Sequence, residues 1–240
     1  MAEKKLLYKR ILLKISGEAL KGKKEHGYDS EAIAQIVARI REALDLGVEI
    51  ALVVGAGNLW RGLAGSQTGM DRVTADHMGM LATAMNALCL KDAFTAAGVS
   101  CAVHSAVAME PFAGKFDRER ALTELASGKL VIFACGTGSP YFTTDTTAAL
   151  RALEIKAQAV MKATKVNGIY TADPVKDPTA EKLEKLTFRE AVEGHYGVMD
   201  SAAFTLCADN GLAIIVFNFS EPGALVKILG GDYSVGTVVS

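Results

Sequence analysis

Three apolar runs, each ending in a loop of small residues, constrain this chain more than any other feature. Residues 8–16 (YKRILLKIS) lead into Gly17 and Glu18, and residues 49–54 (EIALVV) lead into Gly55, Ala56, Gly57 and Asn58. Residues 129–135 (KLVIFAC) lead into 136–149 (GTGSPYFTTDTTAA). Runs that are apolar nearly throughout read as strands covered on both faces, and such strands belong to parallel sheets. Between the first two, Ile33, Ile36, Val37, Ile40 and Leu44 recur at helical spacing, with Asp29 or Ser30 as the cap and Gly47 as the stop. Strand, helix, strand is a βαβ unit.

The alternation continues to the end of the chain. Helices are expected over 73–97, 118–126, 148–156, 186–193, 199–209 and 222–229, the last with Pro222 at its first position. Strands are expected over 101–104, 158–162 and 212–217, with 235–239 as an edge strand. Asn167-Gly168 marks a turn, and Asp173-Pro174 and Asp177-Pro178 mark a rigid, non-helical loop. In the helix over 73–97, Met78, Leu81, Met85, Leu88 and Phe94 form an apolar stripe expected to be buried. The fold class is α/β: a mostly parallel sheet with helices on both faces.

The 136–149 stretch gathers two glycines, a proline, a serine and five threonines around one acid, Asp145, between a strand and a helix start. Phosphates and sugar hydroxyls are held at such places, because a helix N-terminus offers free N–H groups and the positive end of its dipole. A loop whose Thr143 or Thr144 only caps the helix fits these residues equally well. Two of the three small-residue loops also carry a cation, Lys14 and Arg61. Together they point to one anion site at the carboxyl edge of the sheet, where open α/β sheets bind ligands. Neither glycine loop is a Walker A motif, and Trp60 breaks a GxGxxG pattern begun by Gly55 and Gly57.

A chain of 240 residues makes one large domain or two small ones and buries a core without staples. A net charge of −1 argues against nucleic acid and anionic membranes as partners. No apolar run approaches the length of a membrane span, so a soluble, cytoplasmic protein is expected. Cys89, Cys101, Cys135 and Cys207 form no CxxC and read as reduced, mostly buried thiols.

Five segments, LLKISGEAL (12–20), VVGAGNLWRG (53–62), DHMGMLATAMN (76–86), GTGSPYFTTD (136–145) and KATKVNGIYTADPVKDP (162–178), closely resemble the bacterial uridylate kinases of the amino acid kinase family. The likeness runs from about residue 8 to the C-terminus, with the motifs in the same order. It implies a three-layer α/β/α sandwich formed as one domain over 1–240, with UMP on the N-terminal half and ATP on the C-terminal half. It implies phosphoryl transfer from ATP to UMP with Mg²⁺, for pyrimidine nucleotide synthesis, in a homohexamer built as a trimer of dimers, with the helix over 73–97 at a dimer interface and part of its apolar stripe as core between subunits. The catalytic residues it implies are Lys14, Arg61 and Asp145. Lys14, Ile15, Ser16, Gly17, Gly57 and Arg61 would meet the ATP phosphates, and Thr164, Asn167, Tyr170 and Asp173 would surround its adenosine. UMP would be held by Ala56, Asp76, Thr137, Gly138, Ser139, Pro140, Tyr141, Phe142, Thr143 and Thr144. Asp200 aligns with a sensitive acid of the family, and as residues it reads equally well as a helix start. No dedicated metal cage is visible in the sequence.

This chain departs from the family in places. Ala56 stands where a third glycine is common, and Ser139 where an asparagine is common. Gly22, Lys23, Lys24, Glu25, His26 and Gly27 match a loop linked with activation by GTP, but Lys91 replaces a common arginine and Ala102 offers no side-chain contact. UTP is expected to inhibit by mimicking UMP. Two alternatives stay open: a kinase of the same fold acting on a carboxylate or carbamate, and a nucleotide-binding regulator without turnover. No general base is evident, and a phosphate acceptor needs none, since a phosphate monoester is largely a dianion at neutral pH.

Overall fold

The computed structural model describes residues 6–60, 69–172, 174 and 176–240. Its centre is a parallel ladder. Strand β1 (Arg10–Ile15) lies between β2 (Glu49–Val54) and β6 (Ala159–Thr164), parallel to both. Ile11, Leu12, Leu13 and Ile15 are all buried, as a strand covered on both faces requires. Lys14 is in register with Val53 on one side and Lys162 on the other.

The remaining strands extend the sheet outward. Beyond β2 come β5 (Leu130–Ala134), β3 (Cys101–Ser105) and β4 (Gly114–Lys115). Beyond β6 come β10 (Ala213–Asn218), β11 (Gly236–Val239) and β9 (Lys185–Leu186). Of these pairings only β10 with β11 is antiparallel. A separate ribbon joins β7 (Ile169–Tyr170) to β8 (Lys182–Leu183). The halves of the chain therefore map onto the halves of the sheet: β1 to β5 fill one side, β6 onward the other, and the seam runs between β1 and β6.

Helices cover both faces. On one, α1 (Ser30–Leu44), α2 (Arg72–Ala96) and α7 (Ala224–Leu229) pack on Ile11, Leu13 and Ile15. On the other, α3 (Arg118–Ala126), α4 (Thr144–Glu154), α5 (Phe188–Glu193) and α6 (Ser201–Asp209) pack with Leu12, Val53 and Val160. This is the three-layer α/β/α sandwich. The alternation along β1 sends Ile15 to the first face and Lys14 to the α4 face.

Several boundaries differ from the sequence reading, each for a local reason. Helix α4 starts at Thr144 rather than 148, because Thr143 caps it, its hydroxyl accepting from the N–H groups of Asp145 and Thr146. Helix α7 starts at Ala224, after Gly223 in the left-handed region at φ 75°, so Pro222 lies before the helix rather than in its first turn. Strand β11 is no edge strand, since β9 pairs along its outer side. The apolar stripe on α2 divides: Phe94 is buried, whereas Leu81 (53%) and Met85 (55%) stand exposed on this single chain. The rest of that helix's buried side is Leu90 with the smaller Ala75, Ala82, Thr83, Ala84, Asn86 and Ala87. The four cysteines are free; Cys135 and Cys207 are buried, and Cys89 and Cys101 are half-buried.

Candidate active site

The seam between the sheet halves carries a charge cluster. Lys14 on β1 and Lys162 on β6 are neighbours in register, and both reach the same carboxylate, Asp145 in the first turn of α4. Lys162 Nζ donates to Asp145 Oδ2 at 2.7 Å and to the carbonyl of Val198 at 2.8 Å. Lys14 Nζ lies 2.7 Å from Asp145 Oδ1 as an ion pair, approaching off the line of a directed hydrogen bond. Burial opposes ionisation of Asp145, but the two ammonium groups outweigh it and hold the carboxyl below its usual range. A carboxylate near a helix N-terminus is further favoured by the dipole. The arrangement thus places two cations on one anion, with all three side chains largely buried.

Two glycine loops meet beside this cluster. Ser16 caps a short 3₁₀ turn, Gly17–Leu20, by accepting from the N–H of Glu18. A methyl group on Gly17 would come within 2.4 Å of the Gly55 carbonyl and 2.7 Å of the Gly57 nitrogen. Only glycine lets these loops close on each other. A methyl group on Gly55 would reach within 3.6 Å of Thr144 Oγ1, so the third loop joins the same corner. Beneath, Asn58 and Asn86 exchange side-chain hydrogen bonds, and Asn86 also donates to the carbonyl of Gly55 at 2.7 Å. Asn58 further bonds Gly27 through both its side chain and its backbone, which ties the 22–27 segment to the second glycine loop.

A cavity of about 150 Å³ opens next to this corner. Its lining brings together Ala56, Asp76, Thr137, Ser139, Phe142, Thr143 and Thr144, seven of the ten residues expected to meet UMP. Gly138, Pro140 and Tyr141 belong to the same loop; Gly138 and Tyr141 adopt φ 84° and 72°. Asp76 sits where the start of α2 meets that loop, and its Oδ2 accepts from the backbone N–H of Tyr141 at 2.8 Å. The cavity is completed by Gly136, which precedes the expected loop residues, and by Trp60, Gly79, Met80 and Thr83, none of which the sequence reading selected. Their signal was present: Gly79, Met80 and Thr83 share a helix face with Asp76 at spacings of three, four and seven.

On the α1 face, a second cavity of about 250 Å³ touches Ile15, Ser16, Gly22, Thr164 and Lys165. Thr164 Oγ1 donates to the carbonyl of Val166 at 2.7 Å, shaping the turn into β7. Asn167 and Tyr170 line neither of these two cavities. Lys23, Lys24, Glu25 and His26 lie on the surface. Arg61 and Asp173 fall outside the described residues.

Two side chains gain importance from the geometry. Lys162 was passed over as part of a motif, although a lysine inside the apolar strand AVMKAT is itself a signal. Asp200 does begin a helix, capping α6 through the N–H of Ala203. Its carboxylate also takes the hydroxyls of Thr143 and Thr146, which joins the N-termini of α4 and α6. Asp145 and Lys162 are thereby fixed from behind. Among the described residues, no three His, Cys, Asp or Glu side chains gather as metal ligands.

Residues 9–218 match the model of the amino acid kinase family. A uridylate kinase of Pseudomonas fluorescens is 51% identical over 232 residues, covering 97% of this chain and 94% of that protein. Among solved structures, a UMP kinase from Bacillus anthracis superposes with a TM-score of 0.94 at 36% identity, covering 97% of this chain and 96% of its own. A UMP kinase from Ureaplasma parvum superposes with a TM-score of 0.91 at 34% identity, covering 97% and 98%.

Proposed function

This chain belongs to the amino acid kinase family, and from that premise we propose that it transfers the γ-phosphoryl group of ATP to UMP, giving ADP and UDP for pyrimidine nucleotide synthesis. One observation carries the reading: the Lys14–Asp145–Lys162 cluster stands at the seam of the sheet, beside an acceptor cavity lined by Asp76 and the 137–144 loop. Phosphoryl transfer demands positioning and charge neutralisation, with little covalent work for the protein. An oxygen of the UMP phosphate attacks the γ-phosphorus, and the bond to the β–γ bridging oxygen breaks with its electrons leaving on ADP. No proton need move, because the acceptor is already a dianion.

In this reading Lys14 neutralises the phosphoryl group in flight, and Lys162 acts on the donor side of the same anion. Asp145 orients both. The backbones of Ile15, Ser16, Gly17 and Gly57 approach the ATP phosphates, and Arg61 adds a planar cation near the line of transfer. Thr164, Asn167, Tyr170 and Asp173 serve the adenosine. Asp76, Ala56 and Thr137 to Thr144 hold UMP. The division of the sheet at β1 and β6 supports assigning UMP to the N-terminal half and ATP to the C-terminal half. Asp145 and Asp200 are already engaged by lysines and threonines, which favours Mg²⁺ entering with the ATP phosphates rather than in a protein cage. Bound there, the ion would supply charge neutralisation for the phosphates.

The exposed stripe of Met78, Leu81 and Met85 supports self-association through α2, and the assembly we propose is a homohexamer working in the cytoplasm. Light scattering of the purified protein tests the assembly. UTP would inhibit by occupying the Asp76 corner. GTP, if it activates, would do so through the 22–27 loop, which the Asn58 bonds tie to the glycine loop; a GTP titration at subsaturating ATP tests this.

The deciding experiment measures ADP release with a panel of nucleoside monophosphates and carboxylates. Turnover with UMP and strong discrimination against AMP and GMP is expected. Comparable rates with a purine monophosphate, or a carboxylate as the preferred acceptor, would overturn the assignment.

A further inference from the structure

Arg72 opens α2, one turn before Asp76. Its Nε donates to Asp76 Oδ2 at 2.9 Å, and the same oxygen accepts from the Tyr141 N–H. The guanidinium carbon of Arg72 also lies 5.3 Å from the centre of the Tyr141 ring. Tyr141 is 65% exposed and sits at φ 72°, a region that residues with a side chain rarely occupy without support. The contacts that hold its backbone and its ring both lead to the Arg72–Asp76 pair. Both described donors land on Oδ2, so Oδ1 is left to the cavity that Asp76 lines.

We propose that Arg72 is a positioning residue, a latch that fastens the 137–144 loop to α2 and turns one oxygen of Asp76 toward the acceptor. The inference rests on the acceptor reading of that cavity. It also sharpens it: with Oδ2 taken by two donors, a ribose hydroxyl meets Oδ1. Arg72 is absent from the cavity lining, so it works through Asp76 and Tyr141 rather than by touching the nucleotide. The guanidinium shape matters as well as its charge, because a planar group can bond a carboxylate at its edge while stacking on a ring with its face.

Limited chymotrypsin digestion of the full-length protein, with the cut sites identified by mass spectrometry, tests the latch directly. Tyr141 and Phe142 are both exposed and are chymotrypsin sites. Without nucleotide, Arg72→Gln should speed cleavage at these residues by about threefold or more, since the loop then opens locally more often. Arg72→Lys should fall between parent and Arg72→Gln, keeping the charge but losing the stack. In steady state, Arg72→Gln should raise KM for UMP by about tenfold, as expected for lost bonds to a charged group, with kcat and KM for ATP little changed. An unchanged cleavage rate in Arg72→Gln, with thermal unfolding like the parent, would overturn the latch. The acceptor reading is tested separately in the parent protein: UMP should protect the loop from cleavage, and no protection at saturating UMP would count against that reading alone.

Discussion

At the seam, Asp145 is shared by two lysines on neighbouring strands; at the acceptor corner, Asp76 is shared by an arginine on its own helix and a backbone N–H from a loop. The first carboxylate has both oxygens engaged, sits on a helix clamped to a second helix through Asp200, and is largely buried. The second receives both of its described donors on one oxygen and closes a loop whose tip is exposed. Groups that must match a transition state belong on rigid elements, because a small misplacement there costs rate. Groups that bind a departing and arriving substrate belong where local opening is cheap. The contrast teaches that the two regions should fail differently: the seam through kcat, the acceptor corner through the affinity for UMP.

The largest expected effect is that of Lys14→Ala. It removes a contact strongest in the transition state, so kcat and kcat/KM should fall together by on the order of 10²-fold or more. A rise in KM alone, seen in initial-rate kinetics, would break the comparison. Next is Asp145→Asn, which keeps the shape but leaves two ammonium groups without their shared anion. Its kcat should fall by about tenfold or more through misplacement of Lys14, with KM for UMP nearly unchanged. Asp76→Ala should raise KM for UMP by about tenfold, with kcat and KM for ATP little changed, and should weaken inhibition by UTP. Intact UMP affinity and intact UTP inhibition in that variant would reduce Asp76 to a helix-start acid. The smallest effect concerns pH. The pKa of Asp145 is lowered in the folded state, so its contribution to stability is present above the usual carboxylate pKa of about 4 and is lost as pH falls below it. Thermal unfolding between pH 6 and 3 should show a steeper acid loss for the parent than for Asp145→Asn; equal slopes would mean that the seam carries no such linkage.

Much of this was legible in the residues. The near-continuous burial of β1, β2 and β5 follows from their apolar runs, and the small-residue loops do follow the carboxyl ends of these three strands. Lys14, Asp145 and seven residues of the acceptor group do converge, because each lies at the end of a strand or the start of a helix, where position along the chain limits position in space. Lys162 was harder, since its partnership with Lys14 depends on strand order: β1 and β6 are far apart in sequence and adjacent only in the sheet. Arg72 was hidden for a related reason. Its spacing from Asp76 is a common surface pair on a helix, and its meaning comes from Tyr141, which the fold brings from another segment. The α2 stripe was legible only in part, because apolar periodicity identifies a face to be buried without saying what buries it. Here Ala84, Ala87, Leu90 and Phe94 join the core, and Leu81 and Met85 face outward on this single chain.

The central claim is that phosphoryl transfer and UMP binding are carried by separate regions. Equilibrium titration of UMP by calorimetry, without ATP, tests it on the parent, Lys14→Ala and Asp76→Ala. The account predicts that Lys14→Ala binds UMP like the parent although its turnover is lost, and that Asp76→Ala binds about tenfold more weakly. Loss of UMP binding in Lys14→Ala together with unaltered binding in Asp76→Ala would contradict it.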